Sequence, residues 1–251
     1  ANREIGLFDV SFGMRYDQID TNGSITEHHE EEHHDEEEEH EEEEEETTNY
    51  NFDTNNLSFS IDLRRSLNEN WDVNFGYSSL ERAPSVVELF MNGPHLATGR
   101  FEVGNTNLAT ETSNNIDLGV SYVNDNFFAS LSFFINDVDN YVYLMDMHEE
   151  EHHDEDEDHD EEEHEEGHDD HGGLILANYL QEDAELDGYE LEIGRVFNLA
   201  SGDLEVSFSR DVVNGSLSSG MNIPRMSPAR NIYSVGYSVN DYLFDLSFKD
   251  V

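Results

Sequence analysis

The sequence has no cysteine, few basic residues and no apolar run of about 18 residues, the length that a transmembrane helix needs. The lack of cysteine excludes a disulfide scaffold, thiolate catalysis and a cysteine-based zinc finger. Lysine and arginine number 11 against 60 acidic residues, a formal net charge of -49. This charge excludes nucleic acid as a partner, because phosphate binding requires a basic surface. No signal peptide precedes Ala1-Asn2-Arg3-Glu4, so we expect a mature or truncated piece.

Catalytic motifs are also missing from the sequence. It contains no G-x-S-x-G, no P-loop and no H-E-x-x-H. Serine and histidine are frequent, but no spacing pairs a nucleophile with a base. We therefore expect that the protein is not an enzyme.

Most of the histidine and half of the acidic charge lie in two tracts. Residues 27–46 consist of 15 acids and 5 histidines, and residues 148–171 contain 16 acids, 7 histidines and one glycine. Such segments have no apolar side chains to bury and repel themselves electrostatically. The composition predicts that both tracts are solvated and disordered without a ligand.

The histidines decide which ligand the tracts suit. Carboxylates alone would suit calcium, whereas imidazole suits zinc, copper, nickel and iron. Without cysteine, a zinc site must combine histidine nitrogen with carboxylate oxygen, which zinc accepts. Such ligands cannot select zinc by themselves, and a solvated charge run that binds nothing is the alternative. The candidate metal ligands of the tracts are His28, His29, His33, His34, His40, His148, His152, His153, His159, His164, His168 and His171.

Outside the tracts, apolar and polar residues alternate with a period of two, which predicts β-strands with one apolar and one polar face. Phe8, Val10 and Phe12, for example, alternate with Asp9 and Ser11. No helical period competes with this pattern. We predict about nine strands, at 8–17, 57–64, 71–78, 115–122, 127–138, 186–197, 204–212, 231–239 and 242–249.

The connections between these strands indicate a membrane barrel. Short turns and long segments alternate, which places every long segment on one side; the long segments are 18–54, 80–112, 139–185 and 213–230. With aromatic residues near the strand ends, this asymmetry predicts an all-β, transmembrane antiparallel β-barrel with long His/Asp/Glu-rich extracellular loops. A soluble β-sandwich is the alternative. Because bacterial barrels have an even number of strands, nine predicted strands would be part of a larger barrel.

Several motifs resemble the barrel of TonB-dependent outer-membrane receptors. They are Arg82-Ala83-Pro84-Ser85 with Glu88-Leu89-Phe90, Gly104-Asn105-Thr106-Asn107-Leu108 with Glu111, Gly188-Tyr189-Glu190-Leu191-Glu192, and Ile223-Pro224-Arg225-Met226-Ser227-Pro228. The resemblance implies that residues 1–251 form part of a barrel of about 22 strands around a plug. The plug would be absent from this chain, and through it a receptor would contact the TonB complex. The resemblance also implies a bacterial outer membrane as the location and lipid as a partner. Arg82 and Glu111 would anchor loops or the barrel wall.

Within that family, residues 92–98 and 101–104 resemble the zinc-uptake, ZnuD-type branch. This resemblance implies that His95, the one histidine outside the tracts, is a ligand of a zinc site in the upper lumen, with further ligands outside this chain. Glu81, Glu88 and Glu102 are nearby carboxylates whose direction the sequence does not give. The expected function is import of zinc that the tracts capture. The alternatives are a receptor for nickel, copper or an iron siderophore, and a surface barrel that binds metal without transporting it.

Overall fold

The protein is an antiparallel β-sheet with one short helix, as a computed structural model describes it for residues 2–5, 7–31, 42–147 and 173–251. The helix α1 spans Val86–Phe90. The strands in chain order are β1 (Asn2–Ile5), β2 (Phe8–Glu31), β3 (Glu42–Ser66), β4 (Trp71–Arg82), β5 (Asn92–His95), β6 (Arg100–Val103), β7 (Glu111–Val123), β8 (Phe127–Asp146), β9 (Ile175–Leu199), β10 (Gly202–Leu217), β11 (Arg230–Val239) and β12 (Tyr242–Asp250).

Sequence neighbours pair with one another across the sheet, in the order β1-β2-β3-β4-β7-β8-β9-β10-β11-β12. In the described part of the chain, β1 and β12 are the two outer strands of this open sheet. All nine predicted strands are present, at β2–β4 and β7–β12. The structure adds β1, a hairpin of β5 and β6 that lies off the main order, and α1. The helix of five residues is too short to produce a helical periodicity in the sequence.

The strands extend much further than the alternation predicts. The described parts of two segments predicted as loops, 18–54 and 139–185, are largely strand: β2 and β3 extend into the first, and β8 and β9 into the second. β2 and β3 pair without a register shift from Asp9 and Arg64 to Glu31 and Glu42. Backbone ladder bonds do not require an apolar face, so pairing continues after the alternation stops.

Part of the first tract belongs to this extended hairpin, which corrects the prediction that residues 27–46 are disordered throughout. Residues 27–31 lie in β2 and residues 42–46 in β3, so that His28 and His29 pair with Glu45 and Glu44. The rest of that tract and all of 148–171 lie outside the described residues, and for them disorder stays a prediction.

One face of the sheet is apolar and exposed, as a surface in contact with lipid would be. Its exposed members include Phe12, Met14, Phe75, Leu118, Ile135, Phe133, Tyr233 and Leu246. Near the short turns, the Trp71 ring lies 4.9 Å from the Tyr122 ring, and Tyr122 lies 5.9 Å from Phe127. These rings are among the aromatic residues that the sequence shows near strand ends, and the structure brings them into contact.

The turns after β3, β7, β9 and β11 are short, and the connections after β2, β4, β8 and β10 are long. Antiparallel pairing therefore places all long connections at one end of the sheet, as predicted; we call this end the long-loop side. No helix in the described ranges has the length and hydropathy to cross a membrane.

The upper part of the β8–β9 hairpin is covered on both faces at the long-loop side. Val142 packs in one buried cluster with Leu89 and Leu108, and Tyr143 packs in another with Leu217 and Ile223. Because successive strand residues point to opposite faces, the two clusters lie on opposite faces of the hairpin. The β4–β7 and β10–β11 connections thus fold back against it.

Candidate functional site

His95 is the last residue of β5, in a small hairpin that we call the His95 hairpin (β5, β6 and the turn 96–99). The register pairs His95 with Arg100, and the Thr98 amide donates to the His95 carbonyl at 3.0 Å. Gly99 takes a φ of +66°, which a residue with a Cβ rarely adopts. A tight turn therefore brings the two strands together.

Glu102 forms the main contact of the His95 ring. Since His95 pairs with Arg100, Glu102 is a diagonal neighbour of His95 on the same face of the hairpin. The His95 Nδ1 atom lies 2.8 Å from the Glu102 Oε1 atom. The Glu102 side chain is 4% exposed, whereas that of His95 is 49% exposed. The ring thus contacts a buried carboxylate through Nδ1, and about half of the His95 side chain stays exposed.

Two hydroxyl groups hold the buried carboxylate. Thr98 Oγ1 donates to Glu102 Oε1 at 3.1 Å and shares its one proton with the His95 carbonyl at 3.0 Å, and the Tyr179 hydroxyl donates to Glu102 Oε2 at 3.3 Å. Thr98 belongs to the turn of the same hairpin, and Tyr179 belongs to β9. Each carboxylate oxygen therefore has a hydroxyl donor: Oε1 from the turn of the hairpin, and Oε2 from β9.

The His95 hairpin is joined to the two strands that flank the second tract. β6 pairs in parallel with the start of β9, Arg100 opposite Ile175, and the Ile175 amide donates to the Gly99 carbonyl at 3.1 Å. Arg100 also donates two hydrogen bonds to Asp146, the last residue of β8, at 2.7 and 2.8 Å. Arg225 of the β10–β11 connection donates to the same carboxylate at 2.6 Å. Three long connections thus meet where the second tract begins and ends.

α1 joins the same β4–β7 connection to the hairpin that carries the first tract. The Phe90 ring lies so close to Gly23 of β2 that a Cβ there would approach the ring to 2.7 Å. Phe90 also lies 6.1 Å from the Tyr50 ring of β3. Leu89, 1% exposed, is buried beside Phe52. The segment that carries His95 therefore contacts the strand pairs of both tracts.

Arg82 fixes both ends of this connection. It donates to Glu88 Oε2 at 2.8 Å and to Glu111 Oε2 at 3.0 Å, which agrees with the anchoring role that the resemblance implies. Ser85 caps α1 in a capping box with Glu88. Burial acts to raise the pKa of Glu88, but hydrogen bonds from Arg82 and Ser85 outweigh it, and the pKa lies below its ordinary value. Glu81 accepts a bond from the Leu57 amide at 2.6 Å and is structural.

Of the thirteen predicted ligands, the structure gives a side-chain environment only for His95. His28 and His29 are described by their backbone in β2, and the other tract histidines lie outside the described residues. Within the described ranges, no three His, Asp or Glu side chains stand close enough to hold a metal ion. The contact with Glu102 escaped sequence reasoning, although a two-stranded hairpin of the observed register would have revealed it as the diagonal neighbour of His95.

An open antiparallel sheet with an exposed apolar face and one-sided long connections is typical of part of an outer-membrane β-barrel. Residues 2–248 match the family described as TonB dependent receptor-like, beta-barrel, and the chain belongs to this family. Members of this family are outer-membrane receptors and transporters, not enzymes.

Solved structures of such receptors share the fold at low sequence identity. The copper transporter OprC superposes with a TM-score of 0.68 at 16% identity, over 96% of this chain and 33% of OprC. The Serratia marcescens hemophore receptor HasR, in complex with its hemophore HasA and heme, gives 0.60 at 15%, over 94% of this chain and 40% of HasR. The siderophore receptor PirA from Acinetobacter baumannii gives 0.51 at 14%, over 96% and 33%. The chain therefore spans between a third and two fifths of these receptors.

Proposed function

We propose that this chain is part of a TonB-dependent outer-membrane receptor that imports zinc, with the long-loop side facing the outside of the cell. One observation carries the proposal: the segment that bears His95 contacts the strand pairs of both His/acid tracts. β6 pairs with β9, and Phe90 packs on Gly23 of β2. Metal collected by either tract would be released within reach of the His95 hairpin.

Capture by the tracts follows from their charge and their imidazoles. A strongly negative segment concentrates cations near itself, and more so at low ionic strength. The twelve tract histidines add nitrogen ligands for zinc, copper and nickel. Protonation of these histidines as the pH falls through about 6.5 would weaken capture. Weak, exchangeable binding suits a collector, because the metal must leave it for a better site.

Delivery would end at His95. Its imidazole is half-exposed and backed by a buried carboxylate, a common arrangement for a zinc-binding histidine. The remaining ligands would come from a plug domain and from other loops of the complete receptor. Energy for release into the periplasm would come from the TonB complex acting on that plug.

The alternatives to zinc import are mainly receptors for other substrates. OprC is named a copper transporter, and HasR and PirA are named receptors for a hemophore and a siderophore. The His/acid tracts favour a bare divalent ion, because a siderophore pocket has no need of imidazole-rich segments. Copper and nickel stay open, since histidine and carboxylate ligands bind both. A surface barrel that binds metal without moving it is the alternative outside transport.

Competitive metal titration of the full-length receptor tests the proposal. Wild type should show one tight zinc site and several weak ones, and His95→Ala should remove the tight site alone. Leu96→Ala is the matched control, because that neighbouring side chain is 80% exposed. Zinc uptake by cells should fall with His95→Ala and not with Leu96→Ala.

Other outcomes would redirect the assignment. If only weak sites appear and His95→Ala does not change them, the proposal of zinc import through His95 is wrong. The tracts would then act as a metal buffer at the surface. A tight site that prefers copper over zinc in competition would assign copper as the substrate. Metal binding without any uptake would favour the surface barrel.

A further inference from the structure

We infer that Glu102 is a positioning residue that holds His95 in the tautomer with the proton on Nδ1, and so presents the Nε2 atom to the metal. The inference rests on the proposed function in one respect, that the ligand of His95 is a zinc ion. It adds a second residue to the site, and it assigns the ring atom that binds.

The hydrogen bond fixes the tautomer. Glu102 acts as an acceptor towards the Thr98 and Tyr179 hydroxyls, and with the same role towards the His95 ring, 2.8 Å away, it leaves Nδ1 as the atom that donates. In neutral imidazole the other nitrogen then has a free lone pair. Nε2 is thereby left as the metal-binding atom, and the carboxylate increases its electron donation.

The surroundings of Glu102 favour positioning over direct ligation. Its side chain is 4% exposed, and its two oxygens accept hydrogen bonds from three groups in all. A metal bound directly by Glu102 would have to displace those donors within a buried space. The His95 side chain, in contrast, is 49% exposed. The metal therefore binds His95, and Glu102 affects binding by orienting the His95 ring.

Tyr179 extends the arrangement into β9. Its hydroxyl donates to Glu102 Oε2, and its ring packs beside the buried cluster of Leu89 and Leu108. The carboxylate therefore keeps its place even if the turn at Thr98 moves. The orientation of the His95 ring depends on a strand of the main sheet, so the ligand is ordered before the metal arrives.

The test measures the tautomer and the metal affinity separately, in the full-length receptor. Ring ¹⁵N chemical shifts of histidine, with His95 assigned by comparison with His95→Ala, identify the protonated nitrogen before zinc is added. We expect protonated Nδ1 and unprotonated Nε2, and a shift of the Nε2 signal on addition of zinc. A protonated Nε2 in the apo receptor overturns the inference whether or not zinc binds.

Substitutions separate positioning from ligation. Glu102→Gln keeps an acceptor for Nδ1, so the tautomer should persist and zinc affinity should fall about tenfold, whereas Glu102→Ala should mix the tautomers and cost about 100-fold. Tyr179→Phe should have a smaller effect than either. Loss of zinc with Glu102→Gln as complete as with His95→Ala would make Glu102 a ligand and overturn the inference. If wild type binds no zinc at His95, the proposed function is wrong, and the tautomer still decides whether Glu102 orders the ring.

Discussion

Individual residues determine how the His95 segment is held, and Gly104 is the clearest example. The Gly104 amide donates to the Met91 carbonyl at 2.6 Å, and a Cβ at Gly104 would lie 2.7 Å from the Leu89 carbonyl carbon. Contacts that short do not occur for real Cβ atoms, and the obstacle is backbone that cannot rotate away. The close approach of this loop to α1 therefore requires glycine.

Gly104→Ala should lower the free energy of unfolding by about 1–3 kcal/mol, the usual cost of overpacking a tight contact. Gly93→Ala is its control, because no atom lies within 4 Å of a Cβ there. Denaturant unfolding of the full-length receptor measures both variants. Equal stability of the two would show that the loop and α1 can separate without cost.

Asp146 is the second residue whose effect can be isolated, since it binds Arg100 and Arg225 from two different connections. Asp146→Ala should free the start of β6 and raise hydrogen–deuterium exchange in residues 98–103. Zinc affinity at His95 should change little, because Glu102 is held by Thr98 and Tyr179 instead. Asp245→Ala, in the exposed strand β12, is the control, and unchanged exchange in 98–103 would mean that the β6–β9 ladder suffices.

Among the elements, α1 should respond to pH through Glu88. The pKa of Glu88 lies below its ordinary value of 4.5, so ionised Glu88 stabilises the docked helix. This contribution is complete above pH 4.5 and is lost as the pH falls through the lower pKa of the folded state. Exchange protection of residues 86–91 should persist at pH 4.5 and decline below it. Glu88→Gln should lose protection at neutral pH, whereas Glu69→Gln, in an exposed short turn, should not.

Elements also show how far the sequence predicts the fold. The alternation in β4 and β7 locates their strands, because each strand has one apolar and one polar face. The upper parts of β2 and β9 lack this contrast, and their pairing depends on a partner strand that no local pattern reveals. Ser85-Val86-Val87-Glu88 carries the signature of a capping box, and α1 was predictable from it.

Only part of the candidate site can be predicted from the sequence. His95 is predicted as a ligand from its motif and its isolation from the tracts, both of which are local features. The partners of the site were not, because Glu102 needs the hairpin register and Tyr179 needs the parallel pairing of β6 with β9. A parallel contact between a loop hairpin and a barrel strand has no sequence signal of its own.

At the scale of the whole molecule, the proposed metal capture has two contributions, the imidazoles and the acidic charge of the tracts. Substitutions can separate them. Replacing all twelve tract histidines by asparagine keeps the acidic residues and removes the imidazoles. Zinc uptake at low zinc should then fall, and its dependence on pH near 6.5 should become weaker because His95 is the one imidazole that remains, while its dependence on ionic strength stays. Deleting both tracts should weaken both dependences. Uptake assays in cells at two salt concentrations measure this, and an unchanged pH profile after histidine replacement would assign capture to carboxylates alone.

The residues that flank the second tract are anchored on both sides, and this affects which changes in the length of the tract the fold can accept. Met147 and Ile175 are tied to Leu176 and Gly99, so the span between the two ends is set by the sheet and not by the chain between them. The entropy of closing a loop grows only logarithmically with its length, about 0.6 kcal/mol for each doubling. Insertions and deletions of His/Asp/Glu repeats could therefore accumulate without disturbing His95. Under the proposed function, the capacity to capture metal would then change with the length of the tract while the His95 hairpin keeps its geometry.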